Sequence, residues 1–216
     1  MKVGTDGVLL GAWCDVVCAK RVLDVGTGCG LIALMVAQRN RETHVEAIDI
    51  DQNAINEAKT NIDNSPWSSR VDAFCADFND YVANEPIDLI VSNPPFFTEN
   101  VMAANRSRNI ARHSVTLTME QLINISKLLL ADDGKLAFIS PIGQESSIRT
   151  CVVKASMWIK RFARVVPVEG AEPKRILWEL VKSPTETAEE QIIIKIDDAC
   201  YSQQYISLTR DFYLNM

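Results

Sequence analysis

Val22-Leu23-Asp24-Val25-Gly26-Thr27-Gly28-Cys29-Gly30-Leu31 is the stretch that decides the fold. An apolar run gives way to glycines at alternate positions, and a second apolar run follows over 31–37. The first run reads as a buried strand and the second as a helix. Glycine lets the turn between them bend tightly and approach a ligand closely. A dinucleotide fingerprint needs Gly, any, Gly, any, any, Gly. With Gly26 and Gly28 as the first two, its third position falls on Leu31, which weakens a nicotinamide reading.

Downstream lies Leu89-Ile90-Val91-Ser92-Asn93-Pro94-Pro95-Phe96-Phe97. This is another buried strand, and it runs into two prolines that forbid both helix and ladder donation. The backbone therefore leaves the sheet in a rigid extended form. It carries the Asn93 amide, the Pro94 carbonyl and the Phe96 ring out at the carboxyl end of a strand, where open α/β sheets bind ligands. A strand-ending Pro-Pro turn with a core phenylalanine is the plainer alternative.

Periodicity and punctuation order the rest. Strands are expected at 21–25, 44–50, 71–75, 87–92, 135–140, 158–168 and 175–182, with an edge strand or extension at 191–196. Helices are expected at 5–13 (capped by Thr5 or Asp6), 31–38, 53–62, 78–84, from Thr118 onward, 143–157 and 202–213. The loop over 96–116 is long for a compact domain, as functional loops are. Five strand–helix alternations predict a twisted, mostly parallel sheet with helices on both faces.

The 216 residues suit one α/β domain over 1–216, undivided by linker, repeat or low-complexity segment. A net charge of −6 argues against binding nucleic acid over the whole surface. Residues 101–119, however, hold no acid and carry Arg106, Arg108, Arg112 and His113. Residues 146–168 hold none either and carry Arg149, Lys154, Lys160, Arg161 and Arg164. Two such segments suggest one basic face; two solvated faces without a partner are the alternative. No apolar run approaches the ~20 residues of a membrane span, and the opening residues do not read as a signal peptide. Six scattered cysteines read as reduced thiols of a cytoplasmic protein, and two histidines without ligand spacing give no metal site.

Asp24-x-Gly26-x-Gly28-x-Gly30 resembles the first motif of class I S-adenosylmethionine-dependent methyltransferases. Asn93-Pro94-Pro95-Phe96 resembles the motif of those that methylate amino groups. The opening 1–13, the stretches 61–67 and 90–97, Ala111-Arg112-His113 and the ending 208–214 resemble the bacterial tRNA1(Val) adenine-N6 methyltransferase family over almost the whole chain. That resemblance implies a Rossmann-like α/β fold with a seven-stranded, mostly parallel sheet whose last strand is antiparallel. It also implies S-adenosyl-L-methionine as cofactor and a tRNA anticodon stem-loop as partner. A monomer is expected, although no residue pattern speaks to oligomeric state. Members carry a further segment ahead of the position matching Met1, which helps to close the cofactor side.

The expected site combines the resemblance with the chemistry of the residues. Gly26, Gly28 and Gly30 would meet the methionine and sugar part of the cofactor. Asp49 would accept from both ribose hydroxyls, and Asp77 from the adenine amino group with Phe78 beside it. Asp51 as ribose ligand with Asp49 as a cap, and Asp77 as a cap, remain open. Asp24 would hold the loop amides, or the methionine ammonium through water, and Thr5 and Asp6 would lie near the methionine end. Asn93 serves both cofactor and catalysis. Its oxygen and the Pro94 carbonyl can bond the two hydrogens of an adenine amino group and free its lone pair, while Phe96 stacks on the base for ~1–3 kcal/mol. Arg106, Arg108, Arg112 and His113 would meet RNA phosphates. The same tetrapeptide type serves guanine N2 and protein glutamine N5, so those substrates stay open, as does a silent cofactor-binding scaffold.

Overall fold

The protein is described by a computed structural model over residues 4–94 and 117–214. One sheet of eight strands runs through it in the order β3-β2-β1-β4-β5-β7-β6-β8. The elements in chain order are α1 (Thr5–Trp13), β1 (Arg21–Val25), α2 (Leu31–Arg39), β2 (His44–Asp49), α3 (Gln52–Asp63), β3 (Val71–Cys75) and β4 (Ile87–Ser92). Then come α4 (Met119–Leu129), β5 (Leu130–Pro141), α5 (Glu145–Lys154), β6 (Trp158–Val168), β7 (Arg175–Val181), β8 (Ala188–Lys195) and α6 (Gln203–Thr209).

From β1 the chain steps outward to β2 and β3, then crosses back to place β4 on the other side of β1, in parallel. The strand order reverses there. The register sets Val25 opposite Ser92, so Gly26 and Asn93 leave the sheet side by side at the switch point, where such sheets form their ligand crevice.

Both faces of the central strands are covered, which is why those strands read as continuous apolar runs. Val22, Val45, Ala47, Leu89 and Val91 pack with Leu9 and Leu10 of α1, Ile32 and Val36 of α2, and Ile55 of α3. On the other face Leu23, Val25, Ile48, Ile90 and Phe138 pack with Leu122 of α4 and Ile148 of α5. Seven of the nine residues of α1 are buried, the run Gly7 to Trp13 that carries no polar side chain except the indole nitrogen of Trp13.

Three expectations change. The resemblance implied seven strands with the last antiparallel. The antiparallel strand is β7, inserted between β5 and β6, and an eighth strand follows it, pairing in parallel with β6. The expected helix at 78–84 is a turn instead. Asp77 accepts from the backbone and side-chain nitrogens of Asn79, both at 2.8 Å, a local bonding pattern that competes with the helix. Helix α1 is capped by Gly4 without a side-chain bond, so neither Thr5 nor Asp6 is its cap. Helix α4 does begin after Thr118, in a reciprocal capping box with Gln121.

Candidate active site

The carboxyl ends of β1 and β4 are locked together by Ser92, whose buried hydroxyl donates to the Val25 carbonyl at 2.8 Å. The glycine turn begins there. Gly26, Gly28 and Gly30 have φ of 70°, 59° and 83°. Gly26 shows why no side chain is carried: the space around it is open, so the positive φ rather than crowding requires glycine. The amides of Gly26 and Thr27 donate to the Ile48 carbonyl at 2.9 and 3.0 Å, and the Gly28 amide to Asp49 Oδ2 at 3.0 Å. The turn is thus hung on the end of β2.

Two carboxylates hold the floor. Asp24 is fully buried; its Oδ2 accepts from Thr27 Oγ1 at 2.6 Å and from the Ala33 amide at 3.1 Å. Its Oδ1 is buried with no partner among the described residues. Burial, with the Asp49 charge nearby, pushes the carboxyl up to about 6 against the opposing pull of those two bonds. Asp49 Oδ1 accepts from the Asp51 amide at 2.9 Å, and Asp51 in turn caps α3 through the Asn53 amide at 2.9 Å. Asp51 is therefore the helix cap, and Asp49 faces the glycine turn.

Asn93 is half-buried, and its side-chain amide has no hydrogen-bond partner among the described residues. Pro94 beyond it is buried. A Cβ added at Gly7 of α1 would lie 3.3 Å from Leu31 Cδ2 and 3.8 Å from Asn93 Nδ2, so this helix passes within van der Waals reach of the amide. Phe96, Arg106, Arg108, Arg112 and His113 lie outside the described residues. Thr5 is exposed. Asp6 turns away from open solvent to pair with Arg175 Nε at 2.8 Å. Asp77 sits at the end of β3 and closes the Asn79 turn, while the Phe78 ring packs into the core beside Val25 and Ile48.

The sequence profile of the methyltransferase small domain matches residues 8–148. A tRNA1(Val) (adenine(37)-N6)-methyltransferase of Parabacteroides distasonis is 42% identical over all of this chain and 92% of its own length. One from Phocaeicola vulgatus is 39% identical with the same coverage. The chain belongs to the tRNA1(Val) (adenine(37)-N6)-methyltransferase family. Among solved structures, protein Atu636 of Agrobacterium tumefaciens, a predicted O-methyltransferase, superposes with a TM-score of 0.72 over 95% of this chain and 96% of its own at 17% identity, a likeness of fold.

In this member of the adenine-N6-methyltransferase family two residues close to the candidate site escaped the sequence reading. Arg175 pairs with a helix far away in sequence, and no spacing announces that. Ile50 is apolar and 53% exposed beside Asp49; its signal was an aliphatic residue between two acids at a strand end. The second basic segment is also different from its composition. Arg164 pairs with Glu145 and Glu189, Arg149 with Glu145, and Arg161 and Lys160 with the buried Glu179. Much of that charge is neutralised within the fold, so it does not form a free basic face.

Proposed function

We propose that this chain moves the methyl group of S-adenosyl-L-methionine to the exocyclic N6 of an adenosine in tRNA, position 37 beside the anticodon of tRNA1(Val). The observation that carries the reading is the place of Asn93: it directly follows Ser92 of β4, which pairs in register with Val25 just before the glycine turn at the strand switch. The name shared by the relatives supplies the substrate.

The turn suits this cofactor. Open space over Gly26 allows close approach, and the orphaned Oδ1 of Asp24 can accept from the cofactor ammonium, through water. Asp49 retains lone pairs for ribose hydroxyls, Ile50 offers an apolar face for adenine, and Asp77 an acceptor for its amino group. Bound S-adenosyl-L-methionine supplies an electrophilic methyl on a sulfonium.

The chain's own part is positioning. Asn93 Oδ1 and the Pro94 carbonyl accept the two N–H bonds of the target amino group, which draws its lone pair out of conjugation. Two prolines in succession keep those acceptors in place, so little order is lost on binding. Phe96 supports a flipped or loop base, and Arg106, Arg108, Arg112 and His113 supply cations for the RNA backbone. Methylation makes the nitrogen acidic, and its proton leaves to solvent without a prior general base. No step calls for a metal ion, and a cytoplasmic monomer of one domain suffices.

Labelled S-adenosyl-L-methionine and unmodified total tRNA, followed by nucleoside mass spectrometry, test the reading. N6-methyladenosine is expected. Label recovered in protein glutamine or in guanine would replace the substrate, and cofactor binding with no transfer to any of these would make the domain a scaffold.

A further inference from the structure

Helix α1 is fixed unevenly. Its carboxyl end is held by the Arg39 guanidinium, which donates to the Gly11 and Cys14 carbonyls at 2.8 and 2.7 Å, and by Arg161, which donates to the Trp13 carbonyl at 2.9 Å and stacks on the Trp13 ring. Its amino end has no side-chain cap. Among the described residues, the side-chain bond made by the first turn is Asp6 to Arg175. The same guanidinium donates through Nη1 to the Lys174 carbonyl at 3.2 Å, and that carbonyl also accepts from the Ile142 amide, just past β5. Arg175 itself pairs in register with Pro141, the last residue of β5. One side chain thus joins α1 to the start of β7 and the exit of β5, all at the carboxyl edge that holds the site. Gly7, next to Asp6, is where α1 approaches the Asn93 amide.

We infer that Arg175 is a positioning residue: its ion pair with Asp6 holds the first turn of α1 so that Gly7 backs the Asn93 amide and sets where its oxygen points. This rests on the reading of Asn93 as the group that orients the methyl acceptor. It gives Asp6 a role through Arg175 rather than at the cofactor. A Cβ at Gly7 would be in ordinary contact with the Asn93 amide, at 3.8 Å, and nearer to Leu31 Cδ2, at 3.3 Å, so the first turn lies within packing reach of the amide. An ion pair suits the task because it can fix a helix end that carries no cap of its own.

The test uses the full chain and the variants Arg175→Ala, Asp6→Asn, Arg175→Lys and the exchanged pair Asp6→Arg with Arg175→Asp, with Asp132→Asn, an exposed carboxylate paired with Lys182 at the other end of β7, as control. Steady-state transfer to tRNA, cofactor affinity by calorimetry and the Asn93 side-chain amide resonance are measured for each. Arg175→Ala and Asp6→Asn should each lower kcat about tenfold, as expected for sub-ångström misplacement, with cofactor affinity and tRNA KM within about twofold of the parent. Arg175→Lys should fall between, and the exchanged pair should exceed both single variants. The Asn93 resonance should move in the single variants and return in the exchanged pair. An unchanged kcat per folded molecule, a loss confined to cofactor affinity, or a rise confined to tRNA KM would each overturn the inference. If the parent enzyme methylates no adenosine, the proposed function falls, and the Asn93 resonance alone decides the pair.

Discussion

Asp24 carries the clearest pH signature of any single residue in the site. Its carboxyl is raised to about 6 from an ordinary 3.8, chiefly by burial. Between those values the native state keeps a proton that the unfolded chain has lost. The contribution of Asp24 to stability is therefore greatest below the unfolded value, declines as pH rises toward about 6, and above that becomes a constant cost of burying charge. Asp24→Asn removes the titration. Relative to the parent it should gain stability as pH rises from 4 to 7, by up to about 3 kcal/mol, while binding S-adenosyl-L-methionine about tenfold more weakly. Urea unfolding at several pH values reads the first effect and calorimetry the second; a stability difference that does not vary with pH would contradict the assignment. The sequence placed Asp24 at the turn but could not reveal this, because desolvation depends on α2 and β4 closing over it. Nor could spacing separate Asp49 from Asp51; only the Asn53 amide, bonded to Asp51, does so.

At the scale of elements, what could be read was what is local or continuous. The core strands are covered on both faces, so each appears as an unbroken apolar run, and the glycine turn shows itself by its own φ requirements. Helix α4 was legible from Thr118 and Gln121 because a capping box is a contact three residues long. Thr118→Ala should cost about 1 kcal/mol in urea unfolding with an unchanged slope; no loss would mean the box contributes nothing. The 78–84 segment failed as a helix because Asp77 and Asn79 satisfy the backbone locally. Strand β8 is an edge strand, half-open and covered in part by α6, so its pattern was weak. The strand expected at 135–140 begins earlier, and Gly134 lies within β5. A Cβ there would come 2.7 Å from the Ile87 carbonyl, so the glycine serves the close approach to β4.

Over the whole molecule, charge is where composition was least faithful to function. The cations of 146–168 are drawn inward by Glu145, Glu179 and Glu189, partners invisible until the sheet brings them together. Those of 101–119 have no acid within their own segment. Arg112→Ala should weaken tRNA binding and lower the slope of log affinity against log salt by about one, whereas Arg164→Ala should leave that slope unchanged; equal effects would restore the idea of one basic face. The proposed mechanism rests on Asn93, set at the strand switch between the glycine turn and α1. The most direct measurement is the single-turnover rate of N6-methyladenosine formation by Asn93→Ala, at saturating S-adenosyl-L-methionine and tRNA. A loss of about a hundredfold or more, with cofactor affinity nearly intact, is predicted. A rate within a few-fold of the parent would contradict the role assigned to the amide.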